Sequence, residues 1–182
     1  MKEMQEASER LLMIFIKNPI PGRVKTRLGK DIGHDKAVTY YKKLLEITRL
    51  AAENIQADKW LWYGDFVNET DPWSPSIFNK KLQHQGDLGQ RMQHAFLDAF
   101  KAGYKKVAII GSDCPEMSPQ ILEEAFAKLD ETDAVIGPAN DGGYYLLAMK
   151  KPHPVFENVD WSTGSVLAQT TNHLKKDLTM SK

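Results

Sequence analysis

The stretch that decides the fold is Val107-Ala108-Ile109-Ile110-Gly111-Ser112-Asp113-Cys114-Pro115. Its β-branched and small apolar residues predict a buried strand, and the final proline prevents that strand from continuing. In open α/β sheets, ligands bind in the crevice beyond the carboxyl ends of the strands. Asp113 is therefore placed where a carboxylate can hold a divalent cation against phosphate oxygens. From this stretch alone, an equally supported interpretation is that Asp113 only caps a turn.

The composition is ordinary for a globular protein. The chain has 182 residues, of which 42% are apolar, which suits one domain with a sizeable core. We expect a single domain over residues 11–174, with polar tails at 1–10 and 175–182. Lys and Arg total 24 and Asp and Glu total 24, so no net charge attracts nucleic acid or an anionic membrane surface. We therefore expect no nucleic-acid partner.

The sequence also bears on the compartment. Cys114 is the single cysteine, so an internal disulfide is excluded. No apolar run has the length of a membrane span, and the first ten residues contain no apolar signal core. We therefore expect a cytoplasmic protein without a membrane span, and the sequence gives no indication of its oligomeric state. We interpret Cys114 as a small buried residue rather than a nucleophile, because no histidine adjoins it.

A basic segment follows the first apolar run. Leu11-Leu12-Met13-Ile14-Phe15-Ile16 predicts a strand buried on both faces, as in parallel sheets. The segment 17–28 contains two prolines, a glycine and four cations, and predicts a shaped loop. In α/β nucleotide-binding proteins a loop at this place holds phosphates, although the Walker A and Gly-x-Gly-x-x-Gly spacings are absent. The alternative is a solvated loop. The combination with Asp113 favours phosphate binding, because a phosphate–metal site needs cations and a carboxylate together.

Apolar spacing predicts the remaining elements. Helices are predicted at 35–55, from Asp87 to Gly103, from Ser118 onward and at 165–174. Strands are predicted at 59–64, 133–138 and 144–149, whereas 77–83 fits either a short helix or a strand. The first helix covers one face of the sheet, and we interpret its Tyr40-Tyr41 pair as packing.

Two glycine-containing segments are further candidates for the site. Gly86 and Gly89 flank a turn in which Asp87 caps the following helix. A helix start explains Asp87, but not the glycines, amides and arginine gathered at 83–91, and glycines permit close approach to a flat base. The segment 139–143 predicts a tight hairpin turn. Alternatively, Asp141 lies at the same sheet edge as Asp113, with glycines leaving room for a substrate.

These motifs, in this order, carry a resemblance to a known family. They are Lys17 with Pro21-Gly22-x-Val24-Lys25-Thr26-Arg27-Leu28, Gly86-Asp87-Leu88-Gly89-x-Arg91-Met92, Gly111-Ser112-Asp113-Cys114-Pro115, Gly137-Pro138 with Asp141-Gly142-Gly143-Tyr144-Tyr145-Leu146, and Trp161-Ser162. The chain resembles a largely uncharacterised bacterial family of GT-A-like glycosyltransferases in the nucleotide-diphospho-sugar transferase superfamily. More distantly, it is similar to 2-phospho-lactate guanylyltransferase and the molybdenum-cofactor nucleotidyltransferases.

The resemblance implies an α/β fold of the GT-A type, a three-layer α/β/α sandwich around a mixed, mostly parallel sheet. It implies nucleotide and phosphate binding by Lys17, Gly22, Lys25, Thr26, Arg27, Gln83, Gly86, Asp87, Gly89 and Arg91. It further implies catalytic roles for Asp113 and Asp141, and contacts to the acceptor or sugar from Gly142, Gly143, Tyr144 and Trp161. Asp113 matches the carboxylate that binds the metal, a divalent cation such as Mg²⁺ or Mn²⁺.

Three functions are compatible with this resemblance. The first is a metal-dependent transferase that uses a nucleotide-diphospho-sugar donor. The second is a guanylyltransferase-like nucleotidyltransferase that condenses a nucleoside triphosphate with a phosphorylated acceptor. This alternative is kept because the chain has Ser112-Asp113-Cys114 where glycosyltransferases carry Asp-x-Asp. The third is a non-catalytic nucleotide-binding module. In each case the expected partner is a nucleotide or nucleotide-sugar.

Overall fold

A computed structural model of the chain describes residues 9–161 and 163–180. Six strands and five helices are found along this part of the chain. In order, they are β1 (Arg10–Ile16), α1 (Thr26–Ile32), α2 (His34–Ala52), β2 (Asp58–Tyr63), β3 (Asn79–Leu82), α3 (Leu88–Lys101), β4 (Lys106–Ile110), α4 (Pro119–Lys128), β5 (Ala134–Pro138), β6 (Tyr144–Met149) and α5 (Val166–Met180). None of the helices in the described residues has the length and apolar character that crossing a membrane requires.

The strands form one mixed sheet in the order β3-β2-β1-β4-β6-β5. The four strands from β3 to β4 are parallel, whereas β6 is antiparallel to both of its neighbours. The predicted buried strands at residues 11–16 and 107–110 are the two central parallel strands, and the predicted hairpin is β5–β6. The mixed, mostly parallel sheet predicted from the sequence is thereby confirmed.

Helices cover both faces of the sheet because successive strand residues point in opposite directions. Leu12 and Ile14 of β1 belong to a core that includes the apolar faces of α2 and α4. Leu11 and Met13 belong to a second core, which includes side chains of α3 and α5. All four of these β1 side chains are fully buried. The architecture is the three-layer α/β/α sandwich that the resemblance implies.

Some element bounds differ from the prediction. The loop predicted to reach Leu28 ends earlier, because α1 begins at Thr26. This helix has only seven residues and contains Gly29, so it shows too little periodicity and too poor a helix propensity to be recognised. The undecided segment 77–83 contains the four-residue strand β3. The last helix continues beyond Leu174 to Met180, through polar residues that show no clear apolar spacing.

Strand register brings the loops after the parallel strands to one edge of the sheet. Ile16 at the end of β1 pairs with Tyr63 at the end of β2, and Ile14 pairs with Ile110 at the end of β4. Because β6 runs the other way, its early residue Leu146 also pairs with Ile110. The basic segment after β1, the Asp113 segment and the hairpin turn therefore emerge at the same edge.

The hairpin turn rests directly on the loop that precedes α5. Gly142 has φ +86°, and a side chain added there would collide with the backbone carbonyl of Gly164. The carbonyl of Gly142 accepts a hydrogen bond from the backbone N–H of Leu167 at 2.8 Å. Only glycine meets both the conformational and the packing requirement at this position.

We therefore expect Gly142→Ala to lower the free energy of unfolding by about 2 kcal/mol or more, from left-handed backbone strain plus displacement of the contacting backbone. Gly111→Ala is the matched control, because an added Cβ there meets open space and the φ is not positive. Its effect should stay within about 1 kcal/mol. Urea unfolding of both variants measures the difference. Equal stability of the two variants would contradict the close approach of the turn to Gly164.

Candidate functional site

The loops gathered at the sheet edge enclose a cleft of about 810 Å³. Its walls come from the ends of β1 and β4, the first turns of α1 and α3, the start of β6, and the residues Trp161, Thr163, Gly164 and Val166. Of the residues predicted for the site, those lining this cleft are Lys17, Lys25, Arg27, Gln83, Arg91, Asp113, Asp141, Gly143, Tyr144 and Trp161. The two segments on which the sequence argument depends, the basic loop and Asp113, therefore share one cleft.

The remaining predicted residues do not line the cleft. They are Gly22, Thr26, Gly86, Asp87, Gly89 and Gly142. Ser162, which belongs to the last motif, lies outside the described residues. Roles in ligand binding for these residues stay predictions, and several have an evident structural function.

Tyr41 of α2 connects the two central strands at the cleft. Its hydroxyl oxygen accepts the backbone N–H of Lys17 at 2.9 Å and lies 2.9 Å from the Ser112 hydroxyl. Tyr41 is 3% exposed, and burial raises the pKa of its phenol, so the phenol is neutral. It therefore joins the segment after β1 to the segment after β4, which carries Asp113.

Asn18 performs a similar function on the other side of β1. The side chain is 1% exposed. Its carbonyl oxygen accepts the backbone N–H groups of Asp65 and Phe66, each at 3.1 Å, and its amide donates to the carbonyl of Phe66 at 3.0 Å. Asn18 thereby fixes the loop after β2 to the loop after β1.

Lys25 and Asp113 form an ion pair in the cleft, with Nζ 2.9 Å from Oδ1. Lys25 has φ 48° and ψ 47° at the residue preceding α1, a left-handed conformation that costs a non-glycine residue about 1–2 kcal/mol. The Asp113 side chain is 71% exposed, so both partners remain accessible to a ligand. A strained lysine held against an exposed carboxylate is an arrangement found at functional sites.

The cleft has a positive balance of charge although the chain as a whole is neutral. Four cationic side chains line it, Lys17, Lys25, Arg27 and Arg91, against the two carboxylates of Asp113 and Asp141. A cleft lined mostly by one sign of charge concentrates ligands of the opposite sign. This electrostatic pattern favours an anionic ligand such as a phosphate ester.

Gln83, predicted to contact a base, is held by the protein itself. Its Nε2 donates to the carbonyls of Ile16 and Trp62, both at 3.1 Å. Its Oε1 accepts from Arg91 at 3.3 Å, and the Nε of Arg91 donates to the carbonyl of Gly86 at 2.9 Å. The side chain is nearly buried and braces the ends of β1 and β2 beneath the cleft.

The predicted cap at Asp87 is confirmed. Asp87 Oδ1 accepts the backbone N–H of Gln90 at 2.8 Å, and the Gln90 side chain accepts the N–H of Asp87 at 2.9 Å. This reciprocal pair is a capping box. Gly89, the second residue of the helix, lies against the indole of Trp161, where any side chain would collide. The segment therefore shapes the cleft wall rather than reaching into it.

The lining of the cleft is partly apolar. Phe15, Leu88, Met92 and Trp161 belong to it, and Trp161 also stacks on Phe156 at a centroid distance of 6.4 Å. Flat aromatic ligands such as nucleobases bind to apolar and aromatic side chains of this kind. The cleft thus combines apolar and cationic side chains within one cavity.

Asp141 lies in the hairpin turn, and its Oδ1 accepts the backbone N–H of Gly143 at 3.0 Å. This bond is the turn function expected of the residue, and the side chain also lines the cleft. Tyr144, at the start of β6, lines the cleft with a phenol whose pKa is raised by burial. Its hydroxyl is therefore neutral.

The donor set of the cleft fits a hard cation that arrives with a phosphate ligand. No group of three or more His, Cys, Asp and Glu side chains is placed to hold a metal within the described residues. Magnesium commonly uses one or two protein carboxylates together with substrate phosphates, and Asp113 is an exposed carboxylate in the lining of this cleft. Cys114, interpreted from the sequence as buried, is only partly buried and lines the cleft, and burial raises the pKa of its thiol.

Sequence reasoning missed Tyr41, Asn18 and Ser112 as parts of this site. Tyr41 falls on the apolar face of its helix, so its spacing indicates packing only. Asn18 lies between a lysine and a proline, where an amide is typical of any turn. No signal in the sequence pointed to the hydrogen bonds that these residues make.

Comparisons with known proteins agree with this fold. The family model described as "Uncharacterized protein conserved in bacteria (DUF2064)" matches residues 47–163. A crystal structure from Desulfovibrio desulfuricans, described provisionally as a nucleotide-diphospho-sugar transferase, is 34% identical. The match covers 94% of this chain and 77% of that chain, with a TM-score of 0.85. No protein with a curated description matches.

Two more distant structures share the fold. A 4-diphosphocytidyl-2C-methyl-D-erythritol synthase from Anaerococcus prevotii is 10% identical, covers 94% of this chain and 85% of its own, and has a TM-score of 0.56. A cytidylyltransferase from Leptospira borgpetersenii is also 10% identical, with coverages of 96% and 73% and a TM-score of 0.50. At this identity the likeness concerns the fold alone.

The geometry separates residues that build the cleft from residues that the fold does not need. We expect Asn18→Ala to lower the free energy of unfolding by about 1–2 kcal/mol, because the backbone donors of Asp65 and Phe66 lose the acceptor of two part-buried hydrogen bonds. Asp113→Asn should change it by no more than about 0.5 kcal/mol, because its ion pair is exposed. Urea denaturation measures both. A large loss of stability for Asp113→Asn would show that the carboxylate is structural.

Proposed function

The chain belongs to the family described as uncharacterized proteins conserved in bacteria, DUF2064, and we propose that it is a metal-dependent transferase. In this proposal the substrate is a nucleotide-diphospho-sugar donor. The observation that carries the proposal is the Lys25–Asp113 ion pair inside a cleft that also contains Lys17 and Arg27. The description of the relative from Desulfovibrio desulfuricans, a nucleotide-diphospho-sugar transferase, supports the same class of donor.

In this proposal the base and the diphosphate of the donor contact different side chains of the cleft. The base packs on the apolar side chains of Leu88, Met92 and Trp161, and the diphosphate faces the cations, all of which line the cleft. Lys25 is released from Asp113 when a phosphate takes the place of the carboxylate. Because Asp113 is exposed, breaking its ion pair costs little free energy. An exposed ion pair contributes at most about 1 kcal/mol to stability.

Transfer of the sugar builds negative charge on the departing diphosphate. Lys25 and Arg27 stabilise that charge, and fixed positioning of donor and acceptor supplies much of the remaining rate. A divalent cation, when bound, neutralises phosphate charge as a Lewis acid. Asp113 would hold this ion together with phosphate oxygens, and Asp141, in the hairpin turn, would face the acceptor. No residue of the cleft is assigned as the catalytic base.

A second candidate is a nucleotidyltransferase that joins a nucleoside triphosphate to a phosphorylated acceptor and releases pyrophosphate. It is favoured by Ser112-Asp113-Cys114, which places one carboxylate where glycosyltransferases have two. Both reactions need the same charge stabilisation at the same cations. A coupled pyrophosphate assay with GTP or CTP selects this function, whereas hydrolysis of UDP- or GDP-sugars selects sugar transfer. Nucleotide binding whose affinity a chelator does not change, with no turnover of any donor, indicates a non-catalytic binding module.

The assignment of Asp113 is tested by magnesium dependence. We expect Asp113→Asn to abolish the gain in nucleoside diphosphate affinity that Mg²⁺ gives the wild-type protein, because the amide is a poor ligand for a hard cation. Isothermal titration with Mg²⁺ and with chelator measures the gain. Asp133→Asn is the control, since Asp133 is an ion-paired aspartate outside the cleft. A magnesium gain that Asp113→Asn leaves intact would refute the metal-binding role.

The basic segment is tested by comparing phosphorylated and unphosphorylated ligands. We expect Lys25→Ala and Arg27→Ala each to weaken UDP or GDP binding at least tenfold, because each removes a charge-assisted contact of about 1.5–3 kcal/mol. Affinity for the nucleoside should change little. Lys30→Ala is the matched control, an exposed cation of α1 that does not line the cleft. Equal losses for nucleoside and diphosphate would remove the segment from phosphate binding.

A further inference from the structure

Ser112 and Tyr41 form a hydroxyl pair in the wall of the cleft. Ser112 is 6% exposed and Tyr41 is 3% exposed, and both line the cleft. Their oxygens are 2.9 Å apart. The Tyr41 oxygen also accepts the backbone N–H of Lys17 at 2.9 Å. Neither the family description nor the related structures assign a role to this pair.

Counting protons fixes the direction of the bond between the two hydroxyls. The Lys17 N–H can only donate, so the phenol oxygen accepts that bond and keeps its own O–H to donate. If Ser112 also donated to Tyr41, the phenol proton would be left in a buried wall without an acceptor, at a cost of about 1–3 kcal/mol. Tyr41 therefore donates to Ser112, as a neutral phenol can.

This arrangement leaves the Ser112 proton available for a ligand. Within the described residues, Ser112 has no side-chain hydrogen bond besides the one with Tyr41. Ser112 lines the same cleft as Asp113 and the cationic side chains. A hydroxyl that donates to an anionic oxygen makes a short, strong hydrogen bond.

We propose that Ser112 donates its hydroxyl proton to a phosphate oxygen of the bound ligand, and that Tyr41 is a positioning residue that holds Ser112 in the donating rotamer. The proposal rests on the proposed function, in that both place a diphosphate in this cleft. A nucleophilic role for Ser112 is disfavoured, because no histidine among the described residues lines the cleft and a neutral phenol is no base. The ligand class is a diphosphate, whether free or part of a nucleotide.

The test compares wild type, Ser112→Ala, Ser112→Thr, Tyr41→Phe and the double variant Tyr41→Phe with Ser112→Ala. Isothermal titration is performed with inorganic pyrophosphate, with GDP and with guanosine, all in Mg²⁺. We expect Ser112→Ala to weaken pyrophosphate and GDP about tenfold or more and to leave guanosine unchanged. Ser112→Thr keeps the hydroxyl and should restore most of the affinity.

Tyr41→Phe should weaken the two diphosphates in the wild-type background and have a much smaller effect when Ser112 is already alanine. This coupling identifies a residue that acts through Ser112, because a purely structural residue gives additive losses that include guanosine. Urea unfolding of each variant confirms that the compared proteins are folded. If Tyr41→Phe does not fold, the comparison of Ser112→Ala with Ser112→Thr decides the role of the hydroxyl.

The outcomes separate this proposal from the proposed function. If pyrophosphate binding depends on the Ser112 hydroxyl but nucleotides do not bind, Ser112 is retained as a hydrogen-bond donor to phosphate and the proposed transferase function is overturned. If nucleotides bind and turn over but Ser112→Ala binds GDP and pyrophosphate like wild type, the hydrogen-bonding role of Ser112 is overturned and the transferase function stands. A wild-type protein that binds neither diphosphate overturns both. Losses of affinity in Ser112→Ala that are equal for GDP and guanosine also overturn the role of Ser112 as a hydrogen-bond donor to phosphate.

Discussion

The cleft depends on one buried contact, the hydroxyl of Tyr41 between the backbone of Lys17 and the side chain of Ser112. Parallel pairing of β1 and β4 sets where their loops begin, but it does not set how far those loops separate beyond the sheet. A neutral phenol anchored in α2 fixes that separation with two hydrogen bonds. The cationic segment after β1 and the acid after β4 therefore face each other, and the charge pattern of the cleft follows from this constraint.

The polar side chains at the cleft fall into two groups with different physical roles. Asn18, Gln83 and Tyr41 are nearly buried and have protein partners for their polar atoms, so they position the loops. Lys25 and Asp113 form an ion pair in an accessible place. Buried polar groups must be satisfied by the fold, whereas an exposed ion pair can exchange its partners for a ligand. This division is what a binding site requires, a rigid frame carrying charges that are free to change partners.

Much of this arrangement could be predicted from the sequence, for local reasons. Short apolar runs ended by glycine or proline identified the strands that surround the cleft, and parallel strands place their following loops together. The resemblance of ordered motifs added the fold family. Tyr41 could not be predicted, because helical spacing shows which face is buried but not that a hydroxyl meets a serine 71 residues away. The helix α1 was missed because seven residues with an internal glycine carry almost no periodic signal.

The central claim is that one cleft holds a diphosphate between Asp113 and the basic segment. The most direct measurement is a crystal structure of the protein with GDP and Mn²⁺, with data collected at the manganese absorption edge. Our account predicts an anomalous peak bridging the Asp113 carboxylate and the phosphates, with Lys25 moved from Asp113 to a phosphate oxygen. A nucleotide bound outside this cleft, or a metal peak away from Asp113 with the Lys25–Asp113 pair intact, would contradict it.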